Sequence, residues 1–335
     1  MPPFLIPGAD PVILFDDALS KIWKKAKSKG EVALVKRLIR KDSIRGLNDA
    51  SSKIYDENIN AVRFFGGMIH GHPIAKFTAS VGGATKSGSR ELADMLIVIL
   101  SSSSDANGLL KIDSKRACLI QAKMSARQTR AKMPPYNPLA TLPVGSHQEQ
   151  HYLLNRWPSF TLSSGHSSKS YTLSTLPNPQ SMGKYVHICK KTLSSGWPKN
   201  GHYWSWSNPV TNAWANGSLG DLLSKIINSD SNSGRDFVSP PSDDWDELIA
   251  DLVNFCTIIA PSGIERLADP GNFSSFITHQ KIANFLQFKY GRSAKQVLEL
   301  LPRLFRAPPE IQKDILEDGF PVLFVSFSKF SPNKD

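Results

Sequence analysis

Asp94, Gln121 and Lys123 stand where a buried strand would carry apolar side chains. Asp94 opens the apolar run Met95 to Leu100, and Gln121 and Lys123 follow the run Ala117-Cys118-Leu119-Ile120. Residues two apart on a strand point to the same face, so Gln121 and Lys123 project together. A carboxylate, an amide and an ammonium in one place suit phosphodiester hydrolysis. That reaction needs a metal held by hard oxygens, an attacking water, and positive charge beside the developing oxyanion. Mg2+ is commonly held by one or two carboxylates, with substrate phosphate and water completing its shell. Asp94 offers a carboxylate, Gln121 an amide oxygen, and Ala122 its backbone carbonyl. Lys123 would orient or help deprotonate the water and offset charge at the phosphate. Mg2+, or Mn2+ in its place, would lower the pKa of that water and polarise the phosphoryl oxygens.

The elements that must position these residues are two adjacent buried strands with a reversal between them. The polar link from Ser101 to Arg116 holds Asn107-Gly108, a reversal signal between apolar runs. Taken singly, each residue also has a structural use: Asp94 as the turn residue that begins a strand, Gln121-Ala122-Lys123 as a strand end at a solvent edge. Upstream, Ser51 to Phe65 predicts a helix carrying Glu57 and ended by Gly66-Gly67, and Met68 to Ala79 predicts a first strand. The glycine- and lysine-rich stretch from Val81 to Gly88 reads as a turn and lacks the spacing of a Walker loop. Downstream, Ser146 to Leu154 predicts a helix on which Gln148 and Tyr152, four apart, share one face.

This order of residues resembles the PD-(D/E)XK nuclease superfamily. There an acidic residue on a helix precedes a strand pair that bears Asp and then Glu-x-Lys or Gln-x-Lys. The matching positions are Glu57, Asp94 and Gln121-Ala122-Lys123, with Glu91 as a nearby acid that could serve in place of Glu57. Gln148 and Tyr152 match the Gln-x-x-x-Tyr element of nucleases similar to the RecB type, as supporting residues. The resemblance covers about residues 50 to 156 and departs from the commoner pattern at Gln121, where an amide replaces a carboxylate. It implies a restriction-endonuclease-like α/β fold, with a mixed sheet flanked by helices. The activity implied is that of a metal-dependent nuclease. Stand-alone nucleases of this look often serve as effectors in bacterial defence against phage.

Net charge agrees with an anionic partner. The chain of 335 residues carries a formal charge of +11, which favours nucleic acid, with DNA ahead of RNA. Between Lys21 and Arg45 there are ten Lys or Arg residues against two acidic ones, and Leu34, Val35, Leu38 and Ile39 recur at helical spacing among them. Lys24, Lys25, Arg37 and Arg40, with Arg127 and Arg130 further on, are the candidate phosphate contacts; a solvated helix face is the plainer use of the same charges. The organisation expected is a basic helical segment over 1–45, a nuclease-like core over 46–260, and an α-rich C-terminal extension or subdomain over 261–335. Partners beyond nucleic acid are a regulatory protein or a second copy of the chain.

Other chemistries find little purchase. The cysteines, Cys118, Cys189 and Cys256, are far apart and flanked by apolar residues, as reduced core thiols of a cytoplasmic protein would be. His70 and His72 lack further zinc ligands, and no nucleophile elbow occurs. The N-terminus lacks the form of a signal peptide, and no apolar stretch approaches the roughly 20 residues that cross a bilayer, so no membrane contact is expected. A nuclease-like fold that binds nucleic acid or a partner protein without cutting is the competing expectation.

Overall fold

Strands that are apolar at nearly every position need cover on both faces. The computed structural model, which describes residues 5–24, 31–56, 60–70, 72–104, 110–125, 137–164, 167–189, 203–208, 216–254, 256–260, 263–265 and 319–329, supplies that cover. Helices α1 (Pro11–Lys24), α2 (Glu31–Leu38) and α3 (Lys41–Ile54) come first, then strand β1 (Asn60–His70) and the hairpin of β2 (Ile74–Val81) and β3 (Ala84–Glu91). The long strands β4 (Met95–Ser104) and β5 (Leu110–Ser125) follow, then α4 (Ser146–Arg156), β6 (Phe160–Ser164), β7 (Ser167–Tyr171), β8 (Gly183–Cys189) and β9 (Tyr203–Ser207). After these come β10 (Gly217–Ser218), α5 (Leu219–Ile227), β11 (Arg235–Asp236), α6 (Asp244–Asn254), β12 (Cys256–Ala260), β13 (Gly263–Glu265) and β14 (Gly319–Lys329).

The main sheet runs β10-β9-β8-β5-β4-β14-β1-β12-β13, with β11 beside β5. β4 and β5 are antiparallel, while β5 with β8 and β4 with β14 are parallel, so the sheet is mixed. A smaller antiparallel sheet, β3-β2-β6-β7, covers part of one face. On β4 the side chains alternate between two cores. Met95, Ile97 and Ile99 pack with residues of α1, α2, α3 and α5, whereas Leu96, Val98 and Leu100 pack with α4, α6 and the smaller sheet. Each such side chain contributes roughly 1.5–3 kcal/mol of burial. The class is therefore mixed α/β, as the sequence implies.

Several boundaries differ from expectation. The helix expected over Ser51 to Phe65 ends at Ile54, and Val62 to Phe65 belong to β1. Val62 and Phe64 face one core while Phe65 packs against the other, so a period of two displaces the helical one. Polar residues of α3 fasten this join: Asn48 bonds both backbone groups of Phe64, and the Ser51 hydroxyl donates to the Val62 carbonyl. Gly66 and Gly67 do not terminate anything; they lie inside β1, where neighbours come close. A Cβ on Gly66 would sit 2.5 Å from the Ile39 carbonyl, and one on Gly67 would sit 2.7 Å from Cys256 Sγ and the Phe324 ring. Gly82 and Gly83 form the two-residue turn of the β2–β3 hairpin, both at positive φ. Although the sequence is apolar from Trp245 on to Ile259, helix α6 stops at Asn254 and Cys256–Ala260 is a strand.

The first helices and the last described strand are built into the centre. Phe15, Leu19, Leu34, Val35 and Ile44 belong to the same core as β4 and β5. Phe320 to Phe327, grouped by sequence with the C-terminal extension, form β14 between β1 and β4. Phe320, Val322 and Phe324 fill one core and Leu323, Val325 and Phe327 the other, a two-sided pattern that only an interior strand satisfies. Residues 266–318, where the helices of that extension were expected, lie outside the described residues. Among the described residues, no helix is long and apolar enough to cross a membrane.

Candidate functional site

The site forms where β4 begins and β5 runs on past it. Asp94 N donates to the Ile120 carbonyl at 2.9 Å, and Met95 pairs with Ile120. Alternate residues of an antiparallel strand direct both backbone groups at the same neighbour, so Ala122 presents its N–H and C=O to the side where β4 has not yet started. The Asp94 side chain takes the place of the absent backbone: its Oδ2 accepts from Ala122 N at 2.7 Å and from Gln121 Nε2. Gln121 Nε2 also lies 3.4 Å from the Ala122 carbonyl. The amide NH2 thus sits against two oxygens, while the Gln121 Oε1 is buried with no hydrogen-bond partner.

Charge around the pair is held under tension by burial. Asp94 is 8% exposed and Gln121 fully enclosed. Burial pushes the Asp94 carboxyl up from 3.8 to about 7; the Lys123 charge and the Ala122 N–H pull it down, and the negative charges of Glu31 and Glu91 push it further up. Lys123 Nζ is 3.3 Å from Glu31 Oε1, at the start of α2, and Glu31 Oε2 accepts from Met124 N at 2.9 Å. Glu31 is an acid on an early helix beside the strand pair, a place where the sequence pointed to Glu57. Its signal was hidden among the basic residues of its segment.

The remaining sequence-derived residues are spread more widely. Glu57, Lys25, Arg127 and Arg130 lie outside the described residues, and Lys24 is the last residue of α1. Glu91 closes β3 and pairs with His72 at 3.3 Å. Gln148 accepts from Val144 N at 2.6 Å. Tyr152 is bonded to both backbone groups of Ser80 and stacked on Phe77. Gln148 thus ties α4 to the segment before it and Tyr152 ties α4 to the smaller sheet, and neither bonds Asp94. Arg37 is mostly buried and paired with Asp42, while Arg40 is exposed. Cys118 and Cys256 are buried free thiols.

A wall of rings flanks the acid–amide–lysine line, and sequence reasoning did not assign it. Across the parallel pair, Tyr185 adjoins Gln121 and His187 adjoins Lys123. The Tyr185 and His187 rings stack at 6.2 Å, and His151 of α4 approaches Tyr185 at 6.0 Å. His187 Nε2 is 2.8 Å from Ser207 Oγ on β9. Burial lowers the His187 pKa to about 4, so the ring is neutral, and it pushes the Tyr185 phenol far up. The alternation Tyr185-Val186-His187-Ile188 was the signal available: it places both rings on one strand face.

The donors at Asp94, Gln121 and Ala122 are a carboxylate, an amide oxygen and a carbonyl, the hard oxygens that Mg2+ accepts. They fit a cation in one specific respect: the neutral, hydrogen-donating NH2 of Gln121 already occupies the place between two oxygens, and the orphaned Oε1 would join them if the amide turned over. Among the described residues, no group of three or more His, Cys, Asp or Glu is arranged to hold a metal, so such a site would depend on neutral oxygens. A broader depression on the smaller sheet, around Lys76, Thr78, Ser87, Ser89 and Thr161, holds hydroxyls and one ammonium but no carboxylate. Comparison with known proteins finds no family model, no curated protein and no solved structure that matches the chain.

Proposed function

We propose that the protein is a divalent-metal-dependent nuclease that hydrolyses phosphodiester bonds in nucleic acid, DNA ahead of RNA. In this reading it is a Gln-x-Lys member of the PD-(D/E)XK superfamily. The observation that carries the reading is the convergence of the Asp94 carboxylate, the Gln121 amide and the Ala122 carbonyl at the open end of β4, with Lys123 next on the same strand face. The element order agrees with a restriction-endonuclease-like core: α3, β1, the antiparallel pair β4 and β5, then α4 crossing to β8 parallel to β5. β14 is seated between β1 and β4. The charge of +11 favours a polyanion.

Asp94, Gln121 Oε1 and the Ala122 carbonyl would hold Mg2+ or Mn2+, which when bound supplies Lewis acidity and a more acidic water. Lys123, released from Glu31, would offset charge at the reacting phosphate and orient the attacking water. Service as an anti-phage effector is suggested by the resemblance alone. A second reading also has an observation behind it: the Gln121 NH2 already satisfies Asp94 Oδ2, as it would in a closed cluster of a non-cutting binding module. Purified protein incubated with plasmid DNA and with RNA, under Mg2+, Mn2+ or EDTA, separates the two. Cleavage that needs metal and is lost in Asp94→Ala and Lys123→Ala is the expected result. No cleavage under any metal, or cleavage undiminished in both variants, rules the nuclease out, and binding without cutting selects the module.

A further inference from the structure

Buried polar atoms in native proteins nearly always find partners, and those that do not mark places for water or an ion. Three such atoms gather on the sheet face beside Asp94: Gln121 Oε1, the Tyr185 hydroxyl and His187 Nδ1. Their proximity follows from the register, in which β8 places Tyr185 next to Gln121 and His187 next to Lys123. The Asp94 charge acts on the Tyr185 phenol, a second sign that the two share one space. Tyr185 and His187 are each 1% exposed, so the species that meets them is small. With His187 Nε2–H donating to Ser207 Oγ, Nδ1 carries a lone pair, and the phenol oxygen carries two more.

We infer that Tyr185 and His187 form the outer shell of a hydrated divalent cation held at Asp94 and Gln121, accepting hydrogen bonds from its water ligands without touching the cation. The inference rests on the metal site proposed above. One carboxylate and two neutral oxygens leave a six-coordinate Mg2+ with several waters, which it gives up reluctantly. Waters on a cation are strong donors, and the two neutral acceptors on β8 answer them. Such a shell also gives the amide at Gln121 a rationale. A site that keeps its waters recruits affinity from outer-shell bonds and depends less on a second anionic ligand.

The test is calorimetric titration of the full chain, freed of metal by EDTA and dialysis, with MgCl2, with thermal melting to confirm that each variant is folded. Wild type should bind saturably and Asp94→Asn should not; no binding in wild type, or equal binding in Asp94→Asn, sinks the metal site and this inference with it. Tyr185→Phe removes one acceptor. His187→Gln keeps a partner for Ser207 while removing Nδ1. Each should weaken Mg2+ binding by roughly tenfold, as loss of an outer-shell partner does. His187→Asn, whose amide oxygen falls near Nδ1, should bind closer to wild type. Intact wild-type affinity with no change in Tyr185→Phe and His187→Gln overturns the outer shell alone. Equal losses in His187→Asn and His187→Gln assign the histidine to packing and overturn its part in the shell.

Discussion

Replacing Asp94 by Asn should make the metal-free protein more stable while abolishing the proposed chemistry. Asp94 is buried, and its carboxyl is displaced from 3.8 to about 7, first by burial and then by Glu31 and Glu91 against the pull of Lys123. At about 1.4 kcal/mol for each tenfold change, the ionised form carries a cost of roughly 4 kcal/mol in the folded state. The introduced amide keeps an oxygen for Ala122 N and Gln121 Nε2; the pull of the Ala122 N–H is already part of the net shift, and the Gln121 bond weakens by about 1 kcal/mol when its acceptor loses its charge. The expected net gain for Asp94→Asn is therefore roughly 3 kcal/mol. The pH dependence follows from the direction of the shift. The folded carboxyl holds its proton up to about 7 and the unfolded one only to 3.8, so wild type loses stability as pH rises through that window. The variant lacks this loss. Urea unfolding in EDTA should show the widest gap at about pH 8 and a gap that closes toward about pH 5. A variant less stable than wild type at the higher pH, or a gap indifferent to pH, would refute the reasoning.

Two further outcomes follow from the packing and charges. Glu31→Gln keeps an acceptor for Met124 N but removes the negative charge that raises Asp94 and engages Lys123; the midpoint of the Asp94-linked stability change should drop below about 7 in the same urea series, with a direct stability cost of no more than roughly 1 kcal/mol for so partly exposed a pair. Phe324→Ala, in an interior strand of the sheet and 1% exposed, should cost about 3–5 kcal/mol in equilibrium unfolding. A cost near zero would mean that β14 is not part of the core.

The strand pair at the heart of the site was legible because Met95 to Leu100 and Ala117 to Ile120 are contiguous runs separated by a turn signal, and both strands follow from local pattern alone. The shared face of Gln121 and Lys123 follows from the same period of two. Glu31 was harder to see, because its role depends on α2 placing its first turn against the end of β5. The pairing of Tyr185 with Gln121 depends on a parallel register across α4 and the smaller sheet, and periodicity says which face a ring takes without saying what stands beside it. The helix expected over Ser51 to Phe65 failed for a related reason: Val62 and Phe65 satisfy helical and strand spacing alike, and contacts with Ile39, Cys256 and Phe324 decide between them. Gln148 and Tyr152 do share a helix face, but Ser80 and Val144 take their polar groups.

The position of β14 has a consequence for the order in which the molecule can fold. β4, which begins beside Asp94, is flanked by β5 and by a strand that starts more than two hundred residues later in synthesis. Until Gly319–Lys329 has left the ribosome, β4 and β1 each have a bare edge, and contacts of such long sequence separation form slowly. The proposed nuclease site would therefore be seated only after β14 has been made, and a chain cut short before β14 would present sticky strand edges to chaperones and proteases instead of a working site to nucleic acid.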